Sequence, residues 1–185
     1  QREKVKGKRF TVVTVARLAK EKEIDLLLKA WSMARVENAQ LVVVGDGPER
    51  SYLESLARNL GVQRSVKFVG FVPTAEKMRL LANADLFVFP SAWELEGFGM
   101  TTIEAMAAGV PVITTGYGPQ AEIITNGKNG WFFTPHSADD LASKIIAAHT
   151  RTDLKKIGDN CRRLASERFS IPNMLLSWTQ AISLD

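Results

Sequence analysis

Short runs of β-branched and apolar residues alternate along this chain with longer stretches in which apolar residues recur every three or four positions. Phe10-Thr-Val-Val-Thr-Val-Ala16 is the first short run, and its near-continuous apolar character predicts a strand buried on both faces. Ile24, Leu27, Leu28 and Trp31 then have the i, i+3, i+4, i+7 spacing of one helix face. Leu41–Val44 predicts a second strand, closed by Gly45-Asp-Gly-Pro48. Pro48 suits the first position of a helix whose face is Leu53, Leu56, Ala57 and Leu60, and Gly61 suits its left-handed stop. Val66–Val69 predicts a third strand, then a helix capped by Thr74 with Met78, Leu81 and Ala82 inward.

The same rhythm continues. Asp85–Pro90 predicts a fourth strand, and a small-residue helix over 101–109 comes after the loop Glu96-Gly-Phe-Gly99. Val110–Thr114 and Gly130–Phe133 predict two more strands. Ser137 and Asp140 have the spacing of a capping box for a helix carrying Leu141, Ile145 and Ala148, and further helical stretches lie near 153–167 and 171–183. Strand and helix alternate every 20 to 30 residues or so, which predicts an α/β, Rossmann-like, doubly wound parallel sheet of about six strands with flanking helices. Residues 10–185 form one domain in this reading, and residues 1–9 a basic linker.

Ligands of open parallel sheets lie beyond the carboxyl ends of the strands, so the residues just after each strand are the candidates for a site. Arg17 and then Lys22 come after the first; Gly45 and Gly47 after the second; Gly70, Phe71 and Val72 after the third. After the fourth come Ser91 through Glu96, Gly97, Phe98 and Gly99, and after the fifth Thr115-Gly-Tyr-Gly118. Backbone N–H groups at Gly97 and Gly99, backed by a helix N-terminus, suit an anion. Full charges at Arg17 and Lys22 suit a diphosphate. Glu104 stands among Ile103, Ala105, Met106 and Ala107, and with Glu96 eight residues earlier it offers carboxylates that accept from the hydroxyl pairs of a sugar or ribose. Helical geometry throughout that interval would put the two side chains about 80° apart. Together these features describe a nucleotide diphosphate attached to a sugar. Neither a Gly-x-Gly-x-x-Gly after the first strand nor a Walker P-loop occurs.

Composition narrows the alternatives. The formal charge is +4, but residues 1–9 hold five basic residues against one glutamate and the rest is balanced, so a nucleic-acid-binding surface is not expected. The lone Cys161 permits no internal disulfide and is expected to be a buried or incidental thiol. His136 and His149 are expected at the surface, away from the ligand edge. No apolar run approaches the ~20 residues of a membrane span, and a cytosolic protein is expected.

The motifs Ala16-Arg-Leu with Lys22, Val44-Gly-Asp-Gly-Pro48, Val66-Lys-Phe-Val-Gly-Phe-Val72, Ala84-Asp-Leu-Phe-Val-Phe-Pro-Ser91 and Glu96-x7-Glu104 with Ala-Met-Ala-Ala-Gly-Val-Pro-Val-Ile resemble the C-terminal, nucleotide-sugar-binding domain of GT-B-fold retaining glycosyltransferases, family 4. The resemblance implies that Arg17 and Lys22 grip the diphosphate in place of a metal, with no cofactor. It further implies that Glu96 contacts donor-sugar hydroxyls and Glu104 the ribose. Gly97, Phe98 and Gly99 would line the sugar and phosphates, and Phe71-Val72 would border the base. Glu122 matches a family glutamate, and Glu94 is a rival to Glu96. Ala16 and Glu23 depart from glycines common in the family. The donor would be a UDP- or GDP-sugar, and the acceptor a saccharide or lipid-linked saccharide bound by an N-terminal domain that this chain lacks. No nucleic-acid partner is implied; peripheral association with the inner membrane face is compatible with the resemblance. A silent nucleotide-sugar-binding domain and a GT-B-fold epimerase are the alternatives.

Overall fold

The computed structural model describes residues 9–92, 99–170 and 172–173. The N-terminal tail, residues 93–98 and the second C-terminal helical stretch beyond Asn173 therefore lie outside the described residues. Six strands form one sheet: β1 (Phe10–Val15), β2 (Ala39–Val44), β3 (Val66–Gly70), β4 (Leu86–Phe89), β5 (Val112–Thr114) and β6 (Gly130–Phe132). Their order is β3-β2-β1-β4-β5-β6, and every pairing is parallel. The helices are α1 (Ile24–Ala34), α2 (Arg50–Asn59), α3 (Thr74–Ala82), α4 (Met100–Ala107), α5 (Gln120–Ile123), α6 (Ala138–Thr150) and α7 (Leu154–Phe169). The chain is therefore the expected α/β sheet, wound in both directions from β1.

Alternation along each strand explains why helices cover both faces. Val12, Leu41, Val43, Leu86, Val88 and Ile113 point into a core shared with α1, α2 and α6. Their neighbours Val13, Val15, Val42, Val44, Phe87, Phe89 and Val112 point into the other, against α3, α4 and α7. Each fully buried aliphatic or phenyl side chain is worth about 1.5–3 kcal/mol, and all four residues of β4 are buried. This continuous apolar character was visible because a two-faced strand has no polar side to show.

Local details differ from the sequence reading in four places. Thr74 is the first residue of α3 rather than its cap; Pro73 occupies the cap position, and no side chain caps the helix. The inward stripe of α3 runs through Leu81 with Lys77 and Met78 half-buried, leaving Ala82 exposed. Pro48 lies two residues before α2, in the turn where the Glu49 N–H donates to the Leu18 carbonyl at 3.0 Å. Ser137 does cap α6, accepting from Asp140 N at 3.2 Å. The Asp140 carboxylate, however, accepts from Thr134 N at 2.7 Å and Thr134 Oγ1 at 2.8 Å rather than completing a capping box. The Thr134 N–H is the main reason the Asp140 carboxyl is held below its ordinary range.

Candidate functional site

Strand order reverses between β1 and β4, so the segments leaving those two strands diverge and open a crevice at their carboxyl ends. The segment after β1 is fastened to the one after β2: Ala16 N donates to Val44 O at 3.0 Å and Leu18 N to Asp46 O at 2.9 Å. Gly45 makes this packing possible. It sits at φ +125°, and a Cβ there would lie 1.9 Å from the Ala16 carbonyl oxygen; a Cβ at Gly47 would lie 2.4 Å from that of Leu18. Gly45 N also donates to Gly70 O at 2.8 Å, tying in the end of β3. Asp46 braces this corner by accepting from Gly47 N and Arg50, both at 2.8 Å. The Gly47 N–H first and the Arg50 guanidinium second hold its carboxyl below the usual range. Arg17 is exposed on the loop so anchored and makes no ion pair among the described residues.

Lys22 closes a 3-10 turn over Lys20–Lys22 and is half-buried. The next residue, Glu23, has φ +50°, a left-handed conformation that costs a side-chain-bearing residue about 1–3 kcal/mol. This is the backbone reason a glycine is favoured there. Glu23 is retained with two contacts: its carboxylate accepts from Ala92 N at 3.3 Å and meets His136 Nδ1 at 3.1 Å. Ser91 Oγ donates to Glu21 O at 2.9 Å, and Thr115 Oγ1 donates to Ser91 O at 2.8 Å. The Lys22 turn is thereby laced to the ends of β4 and β5. His136 remains exposed, but it adjoins the ligand edge rather than standing apart from it. His149 is half-buried at the other end of the sheet, edge-on to Phe10 with ring centroids 5.0 Å apart.

Across the crevice, Gly99 is the N-cap residue of α4 at φ +68°. Because α4 begins at Met100, helical spacing does not reach back to Glu96. Glu94, Glu96, Gly97 and Phe98 lie outside the described residues. Glu104, in the second turn of α4, is about three-quarters buried, and its Oε1 accepts from Lys77 Nζ of α3 at 2.6 Å. Its Oε2 is buried with no hydrogen-bond partner among the described residues. A carboxylate oxygen without a partner carries an unrepaid desolvation cost of about 1–3 kcal/mol or more, which a hydroxyl donor would remove. Nearby in sequence to α3, Phe71 is 84% exposed and Val72 half-buried. Nothing in packing explains so large an exposed aromatic.

Lys77 and Gln120 were not anticipated. Lys77 had a signal: it falls on the inward stripe with Leu81, an uncommon place for an ammonium without a partner. Gln120 lies in a single helical turn, too short for periodicity to register. Glu122 is exposed on that turn. The described residues contain no cluster of three or more metal-ligating side chains, and none of their helices is long and apolar enough to cross a membrane.

Residues 1–163 match the family described as "Glycosyl transferases group 1". The chain belongs to this family. The group 1 chain is 34% identical over 165 residues to an uncharacterized glycosyltransferase, MJ1607, of Methanocaldococcus jannaschii, covering 88% of this chain and 42% of that protein. It is 38% identical over 146 residues to the GDP-mannose-dependent alpha-(1-6)-phosphatidylinositol monomannoside mannosyltransferase of Mycobacterium tuberculosis, covering 75% and 38% respectively. Among solved structures, Anabaena Alr3699/HepE in complex with UDP and glucose superposes with a TM-score of 0.84 at 30% identity, over 94% of this chain and 48% of that one. The group 1 chain thus spans less than half the length of these relatives, and its fold is one Rossmann-like half of the GT-B architecture, the nucleotide-sugar donor domain.

Proposed function

We propose that the group 1 chain is the donor-binding part of a retaining hexosyltransferase that moves a sugar from a UDP- or GDP-sugar to a saccharide or lipid-linked saccharide on the cytoplasmic side of the membrane. The observation that carries this reading is the convergence at the β1/β4 crevice: Arg17 and the Lys22 turn on one side, the α4 N-terminus and the half-satisfied Glu104 on the other. Arg17 and Lys22 take the diphosphate. When the bond between the sugar anomeric carbon and the phosphate oxygen breaks, the electron pair stays on the phosphate, and the two cations stabilise the charge that develops there. Glu104 Oε2 accepts from the ribose, with Lys77 fixing the carboxylate's orientation. Exposed Phe71 and Val72 border the base, while Gly45, Gly47 and Gly70 shape the backbone beneath it. Glu96 takes the donor-sugar hydroxyls, and Gly97, Phe98 and Gly99 lie along the sugar and phosphates. Binding of UDP or UDP-glucose is supported by the complexes of Anabaena HepE, and of GDP-mannose by the dependence of the mycobacterial relative.

The acceptor belongs to a second domain in this reading, so the 185-residue chain binds donor without transferring sugar. Isothermal titration with UDP-glucose and GDP-mannose, paired with a radiolabel transfer assay, tests both halves. Binding of one donor without turnover is the expected result. Absence of binding to any nucleotide sugar, or turnover by the isolated chain, would contradict it.

A further inference from the structure

The β5 end of the crevice holds a side chain whose chemistry the donor reading leaves unused. Gln120 is 1% exposed, yet among the described residues neither its Nε2 nor its Oε1 has a hydrogen-bond partner. Its amide nitrogen lies against Gly99, 2.0 Å from where a Cβ of that residue would stand. Gly99 is the N-cap of α4, so the amide abuts the same helix N-terminus that faces the crevice. Thr102 in the first turn of α4 and Thr114 at the end of β5 also carry buried hydroxyls without partners. Thr14 in β1 carries another.

We propose that Gln120 is a specificity-determining residue that reads a hydroxyl of the donor's sugar; the inference rests on the donor-binding reading above. The chemical class is set by which atoms are unsatisfied. A carboxamide offers a donor and an acceptor, and here both are open. A phosphate presents acceptors only and satisfies Nε2 while leaving Oε1 orphaned. A sugar hydroxyl both donates and accepts, so hydroxyls can complete the pair. To reach that partner, the buried Gln120 amide turns about its own side-chain bonds toward the crevice when the donor binds. Such a turn breaks no hydrogen bond made among the described residues.

The test is Gln120→Met, which keeps length and volume while removing both polar atoms. Affinities are measured by calorimetry for UDP against UDP-glucose, and for GDP against GDP-mannose, using the pair that the wild-type chain binds. UDP or GDP affinity is expected to stay within about twofold, while affinity for the matching nucleotide sugar falls about five- to tenfold. The free variant is expected to melt a few degrees higher, since an unsatisfied buried amide has gone. Equal losses for nucleotide and nucleotide sugar, no loss for either, or a lower melting temperature in the free chain would overturn the proposal. Failure of the wild type to bind any nucleotide or nucleotide sugar is a different result: it removes the donor reading itself, and this inference with it.

Discussion

Glu104→Gln is the substitution whose consequences can be worked out furthest. The change keeps the side chain's shape but removes the charge that Lys77 meets at 2.6 Å. Those two side chains are 20% and 24% exposed, between an exposed pair worth at most about 1 kcal/mol and a buried one whose disruption costs about 3–5 kcal/mol. A loss of about 1–3 kcal/mol is therefore expected, lowering the melting temperature by about 2–12 °C for a domain of this size. The ligand effect is separate. A hydrogen bond to a charged group contributes about 1.5–3 kcal/mol, so losing the carboxylate at the ribose should weaken UDP or GDP binding about 10- to 150-fold. A double-mutant cycle isolates the contact by comparing each nucleotide with its 2′,3′-dideoxy form in wild type and variant. Wild type should discriminate strongly, and Glu104→Gln should discriminate about threefold or less. Equal discrimination in both proteins would refute the ribose assignment, whatever happens to stability.

Three further outcomes rest on the same geometry. Gly45→Ala places a Cβ 1.9 Å from a backbone carbonyl at φ +125°, a clash no side-chain rotation relieves; a loss above about 3 kcal/mol in a urea melt is expected, and a near-normal midpoint would contradict it. Arg17→Ala should weaken UDP or GDP at least about tenfold and leave uridine or guanosine unaffected, because the guanidinium meets phosphate; equal effects on both would place Arg17 elsewhere. Burial pushes the Cys161 thiol up to about 12, and its Sγ donates to Asn129 O at 3.0 Å. The fold therefore favours the protonated thiol. That contribution is complete below about pH 9, where the unfolded thiol is also protonated, and declines as pH rises toward about 12. Wild type should lose stability relative to Cys161→Ala across that window, and parallel curves would count against it.

The sheet was legible because its strands are apolar on both faces and its helices carry clear three- and four-residue stripes. Val12 through Val15 and Leu86 through Phe89 left no other reading. The short α5 was missed because four residues cannot display a helical period, and Gln120 was hidden within it. Arg17, Lys22 and Glu104 were legible as charges placed after strands or inside apolar runs. Their partners were not: Lys77 meets Glu104 from 27 positions away and His136 meets Glu23 from 113. Such pairings depend on how elements stack, which single-chain periodicity does not encode. Glu23 is the instructive departure. The sequence marks it only as a departure from a common glycine, whereas in the structure it fastens Ala92 and His136 to the turn that presents Lys22.

Amide chemical-shift mapping of the isotopically labelled chain during titration with UDP or GDP tests the central claim most directly. The account predicts saturable shifts confined to residues 16–23, 45–47, 70–74, 96–104 and 115–120, the segments assigned to the donor above. Shifts centred on the opposite end of the sheet, around Phe10 and His149, or no saturable shift with either nucleotide, would contradict it.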